Sequence, residues 1–553
     1  MNYSAAMPAA NQEGAGGRAD LTTQVTKLIE NIQLPSQFQR REAVVTIAAA
    51  TTMIAVAGTM YSLIEKALEN PGCKTVPYSS PFSGSTREYR KDPKGFIEKW
   101  TKELGPVFRA HIFGEVMTVV SGPYVREVFL NTDFNFLHGT AKERFKFDLA
   151  ALLGIEVDID AETPLVRQIV LKHLHNNMKP YTPRVVRQLK KAGDEIMGDV
   201  TEEKVFPHVY PIMQHMIANA AASVFVGEKL VKNEKLIESF KNMTLECGAE
   251  LQNESLFFDH FATLNSWRQW MIGRFSKTVK RHKSQLYNAL KPEVDERLAA
   301  MNTPGWERPK DILQDIIEDS LKNPPRKELV QHLTDWIIQL IFASIHTTSE
   351  NSTVVMYRLL QHPELIPELL EEQNQVLCEY LGEDVVNSTD DAVLLFTFDV
   401  VRNLPKLDSL CRESLRLRND YFTLTHKYLG KNKITLSNGA VIKPGEYVLI
   451  NTWYNHTADD IQHDNSGGFS DFQPFRYANL QDRQSTKIGD DYLIFGLGKH
   501  ACPGRWFALQ EIKTILSFFI REYEISNRNG IIFPTDDLNK MPFGDFVVKK
   551  RSS

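Results

Sequence analysis

One cysteine near the end of the chain lies in a glycine-rich loop, Phe495-Gly-Leu-Gly-Lys-His-Ala-Cys502-Pro-Gly504. A helix is predicted directly after the loop, because apolar residues recur there at three- and four-residue steps. Cys502 therefore precedes a helix N-terminus, where free N–H groups and the helix dipole favour a thiolate. A lone cysteine is most often a small buried apolar residue. A thiolate in this setting, however, is the axial ligand that a haem iron needs.

The loop as a whole matches the haem-binding signature Phe-x-x-Gly-x-[His/Arg]-x-Cys-x-Gly. The match rests on Phe495, Gly496, Gly498, His500, Cys502 and Gly504. On these residues the chain resembles the cytochrome P450 family. The resemblance implies that the loop holds haem b (iron-protoporphyrin IX), with Cys502 as the axial ligand of the iron. We expect His500, two residues before the thiolate, to reach an anionic group of the same cofactor.

A second motif lies in a long predicted helix at residues 326–360. The family has Ala-Gly-x-[Asp/Glu]-Thr-Thr here, and this chain has Ala343-Ser344-Ile-His346-Thr347-Thr. The resemblance implies that Thr347 is the threonine of oxygen activation, and its hydroxyl could bond to a carbonyl one turn back and open a groove. His346 replaces the family's acid. Because histidine exchanges protons near neutral pH, we expect it to assist proton delivery, the alternative being that it only holds the helix.

A third motif, Glu413-Ser-Leu-Arg416, places two opposite charges on one helix face. It resembles the family's Glu-x-x-Arg, and Arg476 belongs to a segment that resembles the family's Pro-x-Arg-[Phe/Tyr]. A guanidinium can bind a carboxylate at two points. The resemblance therefore implies a Glu413–Arg416–Arg476 triad that fixes the segment before the cysteine loop.

Three basic residues are further candidates for binding the cofactor. Arg167 and Lys172 lie in residues 166–172, which should form the helix across the haem edge in place of the family's Trp-x-x-x-Arg. A solvated basic face is an equally good interpretation of this pair. Lys427 falls where the family often has an arginine that binds a haem propionate. A lysine supplies the positive charge but not the two parallel hydrogen bonds of a guanidinium.

Composition excludes several classes of protein. The chain has 553 residues, 42% of them hydrophobic, which suits one large domain with an N-terminal extension. Its net charge is −5, and without a dense basic tract we expect no nucleic-acid partner. The five cysteines are odd in number and far apart, which disfavours a disulfide framework and a zinc site and favours a reducing compartment.

The N-terminal part of the chain predicts a membrane anchor. Residues 1–42 form an extension, and residues 43–64 carry no charge over a length that, as a helix, crosses the ~30 Å hydrocarbon core. A buried Ala/Thr-rich helix is the alternative to this transmembrane helix. Residues 65–84 are a proline-rich linker and residues 85–553 the catalytic domain. The resemblance implies a single-pass protein of the endoplasmic reticulum membrane, with the catalytic domain facing the cytosol.

Local patterns predict a mainly α fold with a small β region. Residues 107–113 and 116–120 indicate a β-hairpin around Gly114-Glu115, and Asn438-Gly439 between apolar residues indicates another. Helices are expected to dominate from residue 125 to about residue 420. Together with the ordered motifs, this implies the cytochrome P450 haem-thiolate fold on an N-terminal transmembrane helix.

The implied activity is monooxygenation of a lipophilic small molecule, in which one atom of O2 enters a C–H bond and the other leaves as water. The chain has no flavin or dinucleotide fingerprint, so NADPH would act indirectly. The resemblance implies NADPH–cytochrome P450 reductase as the partner, with cytochrome b5 as a second candidate donor. We expect docking where Lys499, Arg505 and Lys513 cluster, the alternative being scattered solubilising charge.

The expected substrate is a steroid or a terpenoid, because the long N-terminus and the 344–348 and 436–439 segments look like those of fungal hydroxylases of such molecules. Two aromatic segments, residues 256–261 and 267–270, would lie near the lid over the substrate or form ordinary core. A sterol 14α-demethylase is the first alternative, although the tyrosine-rich pattern of that class is missing. A non-oxidative haem-thiolate isomerase or dehydratase is the second, and Thr347 argues against it. A non-catalytic lipid-binding protein would not need a complete thiolate loop.

Overall fold

Helices form most of the chain in the computed structural model. The described residues are 70, 72–78, 80, 83–140, 165–251, 262–389, 391–462, 467–535 and 541–551. The predicted extension and transmembrane segment, residues 1–64, lie outside these ranges, as do residues 256–261 of the first aromatic segment. Among the residues that are described, we find no helix with the length and apolar character needed to cross a membrane.

The helices fall into two groups along the chain. Those before residue 329 are α1 (Thr86–Lys91), α2 (Pro93–Leu104), α3 (Val125–Leu130), α4 (Phe136–Thr140), α5 (Leu165–Ile169), α6 (Met178–Met197), α7 (Tyr210–Phe225), α8 (Glu228–Val231), α9 (Glu234–Leu251), α10 (Ala262–Phe275), α11 (Lys277–Ala300) and α12 (Ile312–Lys322). Those after it are α13 (Leu329–Gln361), α14 (Leu365–Leu381), α15 (Glu383–Ser388), α16 (Ala392–Leu395), α17 (Phe398–Arg402), α18 (Pro405–Arg416), α19 (Thr452–Thr457) and α20 (Arg505–Glu522). A π-helical turn, Val170–Leu174, continues α5.

The described strands form a five-stranded, a three-stranded and a two-stranded sheet. The strands are β1 (Val107–Ile112), β2 (Glu115–Val120), β3 (Phe134–Asn135), β4 (Lys204–Phe206), β5 (Phe422–Tyr428), β6 (Ile434–Thr435), β7 (Val441–Ile442), β8 (Tyr447–Asn451), β9 (Tyr523–Ser526) and β10 (Phe546–Lys550). The largest sheet has the order β1-β2-β8-β5-β3, and the others have the orders β4-β10-β9 and β6-β7. Within the largest sheet β2 and β8 are parallel, with Thr118 opposite Val448.

The two predicted hairpins are present, with one shift in a turn. β6 and β7 flank Asn438-Gly439, as expected. In the first hairpin β1 ends at Ile112 and β2 begins at Glu115, so the turn is Phe113-Gly114 and not Gly114-Glu115. Phe113 has φ 59° and Gly114 has φ 81°. Two successive positive φ angles are what a two-residue turn of a right-twisted hairpin requires, and here a phenylalanine occupies the first of them.

The central element of the helical core is α13. It packs against α7, α9, α11, α18 and α20. Apolar residues line this helix on nearly all sides and are buried over most of its length. A helix that is hydrophobic all round belongs in the interior of a large domain. The second motif lies on α13 and the cysteine loop leads into α20, so the two motifs belong to helices that pack against each other.

Part of the predicted linker joins the folded domain. The Asn70 side chain accepts a hydrogen bond from Val441 N at 2.9 Å. Val76 N donates to Arg109 O at 2.8 Å, and Val76 is fully buried. These residues are non-helical, in keeping with a proline-rich segment. The segment that precedes the catalytic domain is therefore held against β1 and β7.

Candidate functional site

The cysteine loop is closed by its own backbone. Cys502 N donates to Phe495 O at 2.8 Å, and Ala501 N donates to Gly498 O at 3.2 Å. Gly496 and Gly498 have φ angles of 69° and 64°, which favour glycine. A Cβ at Gly498 would also lie 2.6 Å from the carbonyl oxygen of Phe129. The glycines of the signature thus let the loop turn sharply and pack against α3.

The Cys502 thiol is directed at the start of α20. Gly504 is the N-cap residue of this helix, and the backbone N–H groups of Gly504 and Arg505 act on the thiol to lower its pKa. Burial raises the pKa of Cys502 above its ordinary value, although these two donors and the Arg505 charge oppose it. The expected lowering by the helix terminus is therefore outweighed by desolvation. A bound metal ion would reverse the balance, because a coordinating thiol is deprotonated.

His500 occupies a short 3-10 turn beside the cysteine. Its Nε2 atom is buried and has no hydrogen-bond partner among the described residues. Burial, followed by the positive charges of Lys499 and Arg167, lowers the pKa of His500 to about 4. A neutral imidazole with a free ring nitrogen can donate to an acceptor that approaches the loop.

The structure separates the two basic residues of the 166–172 segment. Arg167 Nη1 donates to Ala501 O at 2.8 Å, so its guanidinium lies against the cysteine loop. Lys172 lies on the π-helical turn after α5 and is exposed. Arg167 is therefore positioned to present charge at the site, whereas the alternative interpretation, a solvated basic face, describes Lys172 better.

His426, and not its neighbour Lys427, faces the cysteine loop. The His426 ring lies 6.2 Å from the His500 ring and 4.9 Å from the Phe129 ring. Successive side chains of a strand point to opposite faces. Accordingly, Lys427 lies over the ring of Tyr447, its Nζ 5.5 Å from the centroid. The expected propionate charge at Lys427 is thus on the other side of β5 from His500.

The second motif presents its threonine on an accessible strip of α13. Ala343 and Thr347, one helical turn apart, are exposed. The neighbouring residues Phe342, Ile345 and Thr348 are buried. Thr347 Oγ1 donates to Ala343 O at 2.9 Å. The helix nevertheless continues unbroken to Gln361, so this bond does not open the groove that we expected.

His346 is held by residues from two other parts of the chain. Its Nδ1 atom lies 2.9 Å from the Tyr210 hydroxyl at the start of α7. Its Nε2 atom lies 4.0 Å from Glu350, which forms an ion pair with Arg418 at 2.8 Å. Burial lowers the pKa of His346, the charge of Glu350 opposing the shift and that of Arg418 adding to it. His346 is therefore neutral at pH 7.

The three residues of the predicted triad meet in the interior. Arg416 donates to both oxygens of Glu413, with Nη2–Oε1 at 2.7 Å and Nε–Oε2 at 2.8 Å. Arg476 Nε lies 3.6 Å from the same carboxylate. The remaining Arg476 nitrogens donate to the carbonyl oxygens of Gly467 and Gly468, both at 2.9 Å. The triad thus joins α18 to the segment before the cysteine loop.

Lys513, one of the three residues predicted to form the docking surface, is not on the surface. Lys513 is buried and pairs with Asp408 of α18 at 3.0 Å, because its position on α20 faces the core. Arg505 instead lies over Trp506, 3.4 Å from the ring centroid, and the His175 ring also packs against Trp506, with 4.3 Å between the ring centroids. Exposed Arg402 contributes to the field at His175 together with Arg505. The basic surface near Cys502 is therefore formed by Arg402 and Arg505, with Lys499 nearby in the loop.

The second aromatic segment is not core. Trp267 is 60% exposed and Trp270 is 45% exposed, both on α10. Leu264 and Phe275 of the same helix are also exposed. The interpretation of these rings as ordinary core aromatics is wrong, and an apolar strip lies on the surface of α10.

Three members of the site were not predicted from the sequence: Tyr210, Glu350 and Arg418. Glu350 lies one helical turn after His346, a spacing that places both on one face of α13 and that the sequence displays. Tyr210 and Arg418 carry no such signal, because they reach His346 and Glu350 through tertiary packing alone.

The residues around the loop fit a haem. Cys502, just before the start of α20, would hold the iron as a thiolate, because a coordinating thiol is deprotonated. The buried His500 Nε2 without a partner and the Arg167 guanidinium at Ala501 suit the cofactor's propionates. These donors belong to one loop and the helix against it.

Comparison with known proteins identifies the family of the chain. The family model "Cytochrome P450" matches residues 75–549. "Cytochrome P450 monooxygenase 151" of Postia placenta is 25% identical over 495 residues, covering 85% of this chain and 92% of its own length. "Cytochrome P450 monooxygenase eqxH" of Fusarium heterosporum is 26% identical, covering 79% and 81%.

A solved structure shares the fold. "Retinoic acid bound cyanobacterial CYP120A1" superposes with a TM-score of 0.60 at 19% identity, covering 87% of this chain and all of that one. The family model spans most of the chain, including the cysteine loop, the α13 motif and the triad. The chain therefore belongs to the cytochrome P450 family.

Proposed function

We propose that the protein is a haem-thiolate monooxygenase that inserts one atom of O2 into a C–H bond of a lipophilic substrate. The observation that carries the proposal is Cys502 itself, held just before the N-terminus of α20 in a loop that the bond from Cys502 N to Phe495 O closes. The curated relatives quoted above are named monooxygenases. Family membership implies the haem itself.

The chain's own residues bind and orient this cofactor. Cys502 is the iron ligand, and Phe495, Gly496, Gly498 and Gly504 shape the loop around it. His500 and Arg167 bind propionates. Two lysines are weaker candidates, because Lys172 is exposed and Lys427 lies on the far face of β5. When bound, the haem supplies the oxygen chemistry, to which a thiolate ligand contributes electron density. The Glu413–Arg416–Arg476 triad holds the preceding segment in place.

Thr347 and His346 handle protons on the opposite side, where α13 exposes a strip. Thr347 Oγ1 donates its proton to Ala343 O, which leaves its lone pairs to accept from water or substrate. Neutral His346 stands beside it. The pair holds ordered protons at the point where the reaction consumes them, which limits release of hydrogen peroxide.

Electrons come from NADPH through a separate flavoprotein, NADPH–cytochrome P450 reductase, with cytochrome b5 as a second donor. The support is the basic surface of Arg402, Arg505 and Lys499 near the cysteine loop. Arg505 donates to the carbonyl oxygen of Cys502 at 2.8 Å, so a docked acidic protein would lie against the cysteine's own backbone. Charge complementarity of this kind mainly raises the association rate.

The protein is anchored in the endoplasmic reticulum membrane as a single-pass protein, with its catalytic domain in the cytosol. The support is the uncharged sequence of residues 43–64, between the 1–42 extension and the 65–84 linker. The exposed tryptophans of α10 add to it, because tryptophan is enriched at membrane–water interfaces. Lipophilic substrates would then reach residues 85–553 from the bilayer.

The proposed substrates are steroids or terpenoids of similar size. The transfer of such molecules from water into an apolar cavity is favourable in free energy. A spectral titration with steroids, terpenoids, fatty acids and lanosterol should show the low-to-high-spin change with the first two classes. A response to lanosterol alone would favour a sterol 14α-demethylase instead.

Turnover with isotopically labelled dioxygen tests the reaction class. Reconstituted with reductase and NADPH, the enzyme should place one labelled atom in the product and the other in water. Product formed from a hydroperoxide or an alcohol without NADPH would favour a haem-thiolate isomerase or dehydratase. Retention of label in neither product nor water would contradict monooxygenation.

A further inference from the structure

His346 is contacted from an element that the sequence motif does not include. Tyr210, the first residue of α7, places its hydroxyl 2.9 Å from His346 Nδ1. Tyr210 is buried, and the rings cross at 73° with centroids 6.0 Å apart. The contact is thus made edge-on through the ring nitrogen and not by ring stacking.

The direction of this hydrogen bond follows from the next residue in the network. Gln214, one turn along α7, directs its amide nitrogen at the Tyr210 oxygen at 3.2 Å and at Lys241 O at 2.8 Å. An amide nitrogen only donates. The Tyr210 oxygen therefore accepts from Gln214, and its own proton is left to donate to His346 Nδ1.

A ring nitrogen that accepts a hydrogen bond carries no proton. Neutral His346 must then hold its single ring proton on Nε2. That atom lies 4.0 Å from Glu350, too far for a direct hydrogen bond. The Glu350 charge is already matched by Arg418 at 2.8 Å, and Arg418 also approaches Asp420 at 3.5 Å.

Protonation of His346 is opposed by the same contacts. An imidazolium would donate from Nδ1, so the Tyr210 hydroxyl would have to turn its own proton away from His346. The charged groups near it are Glu350 on its own helix and Arg418 after α18, and their effects oppose each other. Burial decides the outcome and lowers the pKa of His346.

We propose that Tyr210 is a positioning residue that fixes His346 as the neutral Nε2–H tautomer, so that His346 acts beside Thr347 as an Nε2–H donor and not as an imidazolium acid. The proposal rests on the function proposed above for Thr347 and His346. Tyr210 and Gln214 of α7 would thus position a histidine of α13 that takes part in the reaction.

The first test reads the tautomer without turnover. Nitrogen NMR of the full-length carbon monoxide complex, with isotopically labelled histidine, separates protonated from unprotonated ring nitrogens, and the His346→Gln spectrum assigns the signals. We expect Nε2–H only in the wild type and a changed tautomer population in Tyr210→Phe. Tyr357→Phe is the matched control, because Tyr357 is a buried hydroxyl of α13 that bonds to Val209 N and Gly544 O.

The second test reads coupling, the ratio of product formed to NADPH consumed. Loss of the Tyr210 hydroxyl removes the contact that fixes the ring proton on Nε2. Coupling in Tyr210→Phe should therefore fall several-fold below that of the wild type and of Tyr357→Phe. A proton on Nδ1 in the wild type, or identical behaviour of both variants, would overturn the proposal, whereas the absence of any product with an intact Nε2–H signal would count against the proposed function alone.

Discussion

Arg416 donates two hydrogen bonds to the Glu413 carboxylate, from Nη2 at 2.7 Å and from Nε at 2.8 Å, and neither side chain is exposed to solvent. Removing one partner of such a pair leaves a buried charge uncompensated, which costs about 3–5 kcal/mol. Glu413→Gln should therefore lower the free energy of unfolding by about that amount and reduce the yield of haem-bound protein. Denaturant unfolding and the haem-to-protein absorbance ratio measure both.

The control for that prediction is an ion pair on the surface. Arg187 and Glu228 lie 3.0 Å apart and are about half exposed. Such pairs contribute only about 0.2–1 kcal/mol. Glu228→Gln should leave haem content unchanged. Equal losses in Glu228→Gln and Glu413→Gln would show that the buried triad has no special part in holding the loop.

The iron ligand is the most direct prediction. Reduced protein with carbon monoxide should show the red-shifted Soret band of a thiolate-ligated haem, and Cys502→Ala should abolish it. Cys247→Ala is the matched control, because that thiol is fully buried in α9. If the band survives in Cys502→Ala, another residue ligates the iron.

Thr347→Ala should uncouple the enzyme. The variant loses the hydroxyl on the accessible strip, so NADPH should be consumed with more hydrogen peroxide and several-fold less product. Thr353→Ala removes a hydroxyl with the same one-turn bond, to Ser349 O at 2.8 Å, from a buried position of the same helix. Peroxide and product measured side by side should separate the two variants, and an unchanged ratio in Thr347→Ala would refute its role.

His456 should make the domain sensitive to acid. Its ring is buried, Leu493 N donates to Nε2 at 2.8 Å, and Nδ1 then donates to Arg416 O at 2.9 Å. Burial, followed by the Arg416 charge, lowers the pKa of His456 to about 3. In the unfolded chain the pKa of His456 is about 6.5, so below that pH the unfolded chain binds a proton that the folded protein does not. The free energy of unfolding therefore decreases as the pH is lowered, by about 2 kcal/mol between pH 7 and pH 5.

The measurement is the free energy of unfolding at both pH values in wild type and His456→Gln. Glutamine can keep one hydrogen bond but does not titrate, so the slope between pH 5 and 7 should decrease in the variant. An unchanged slope in His456→Gln would place the acid sensitivity elsewhere.

Deletion of residues 1–66 should release the protein from microsomes after a carbonate wash, while the truncated protein still binds haem. Trp267→Ser with Trp270→Ser in the full-length chain should leave it in the carbonate-resistant fraction. The same two changes in the truncated form should weaken its residual binding to lipid vesicles. A truncated protein that stays fully bound would show that residues 43–64 are not the main anchor.

Short-range patterns predicted local geometry well. The cysteine loop and Glu413–Arg416 each lie within ten residues, so their geometry follows from a local turn or one helical turn. Asn438-Gly439 predicted its hairpin for the same reason. In the other hairpin the turn moved by one residue, because Phe113 adopts a positive φ that sequence statistics assign to glycine.

Contacts between distant elements could not be predicted in this way. Lys513 was expected on the surface because lysine usually is, yet the rotation of α20 directs it at Asp408. His346 was expected to exchange protons near its ordinary pKa, but burial lowers that pKa and Tyr210 contacts its Nδ1 atom. Each outcome depends on how two helices pack, which neither helix's own sequence specifies.

The parallel pairing of β2 with β8 constrains how the protein is made. Thr118 cannot meet Val448 until most of the polypeptide has left the ribosome. At translation rates of about 5–20 residues per second, the early strand waits on the order of tens of seconds for its neighbour. Pairing of such high contact order is slow. The nascent chain therefore passes through a long interval with an open strand edge and with its cysteine loop not yet synthesised, so cofactor capture is a late, largely post-translational event.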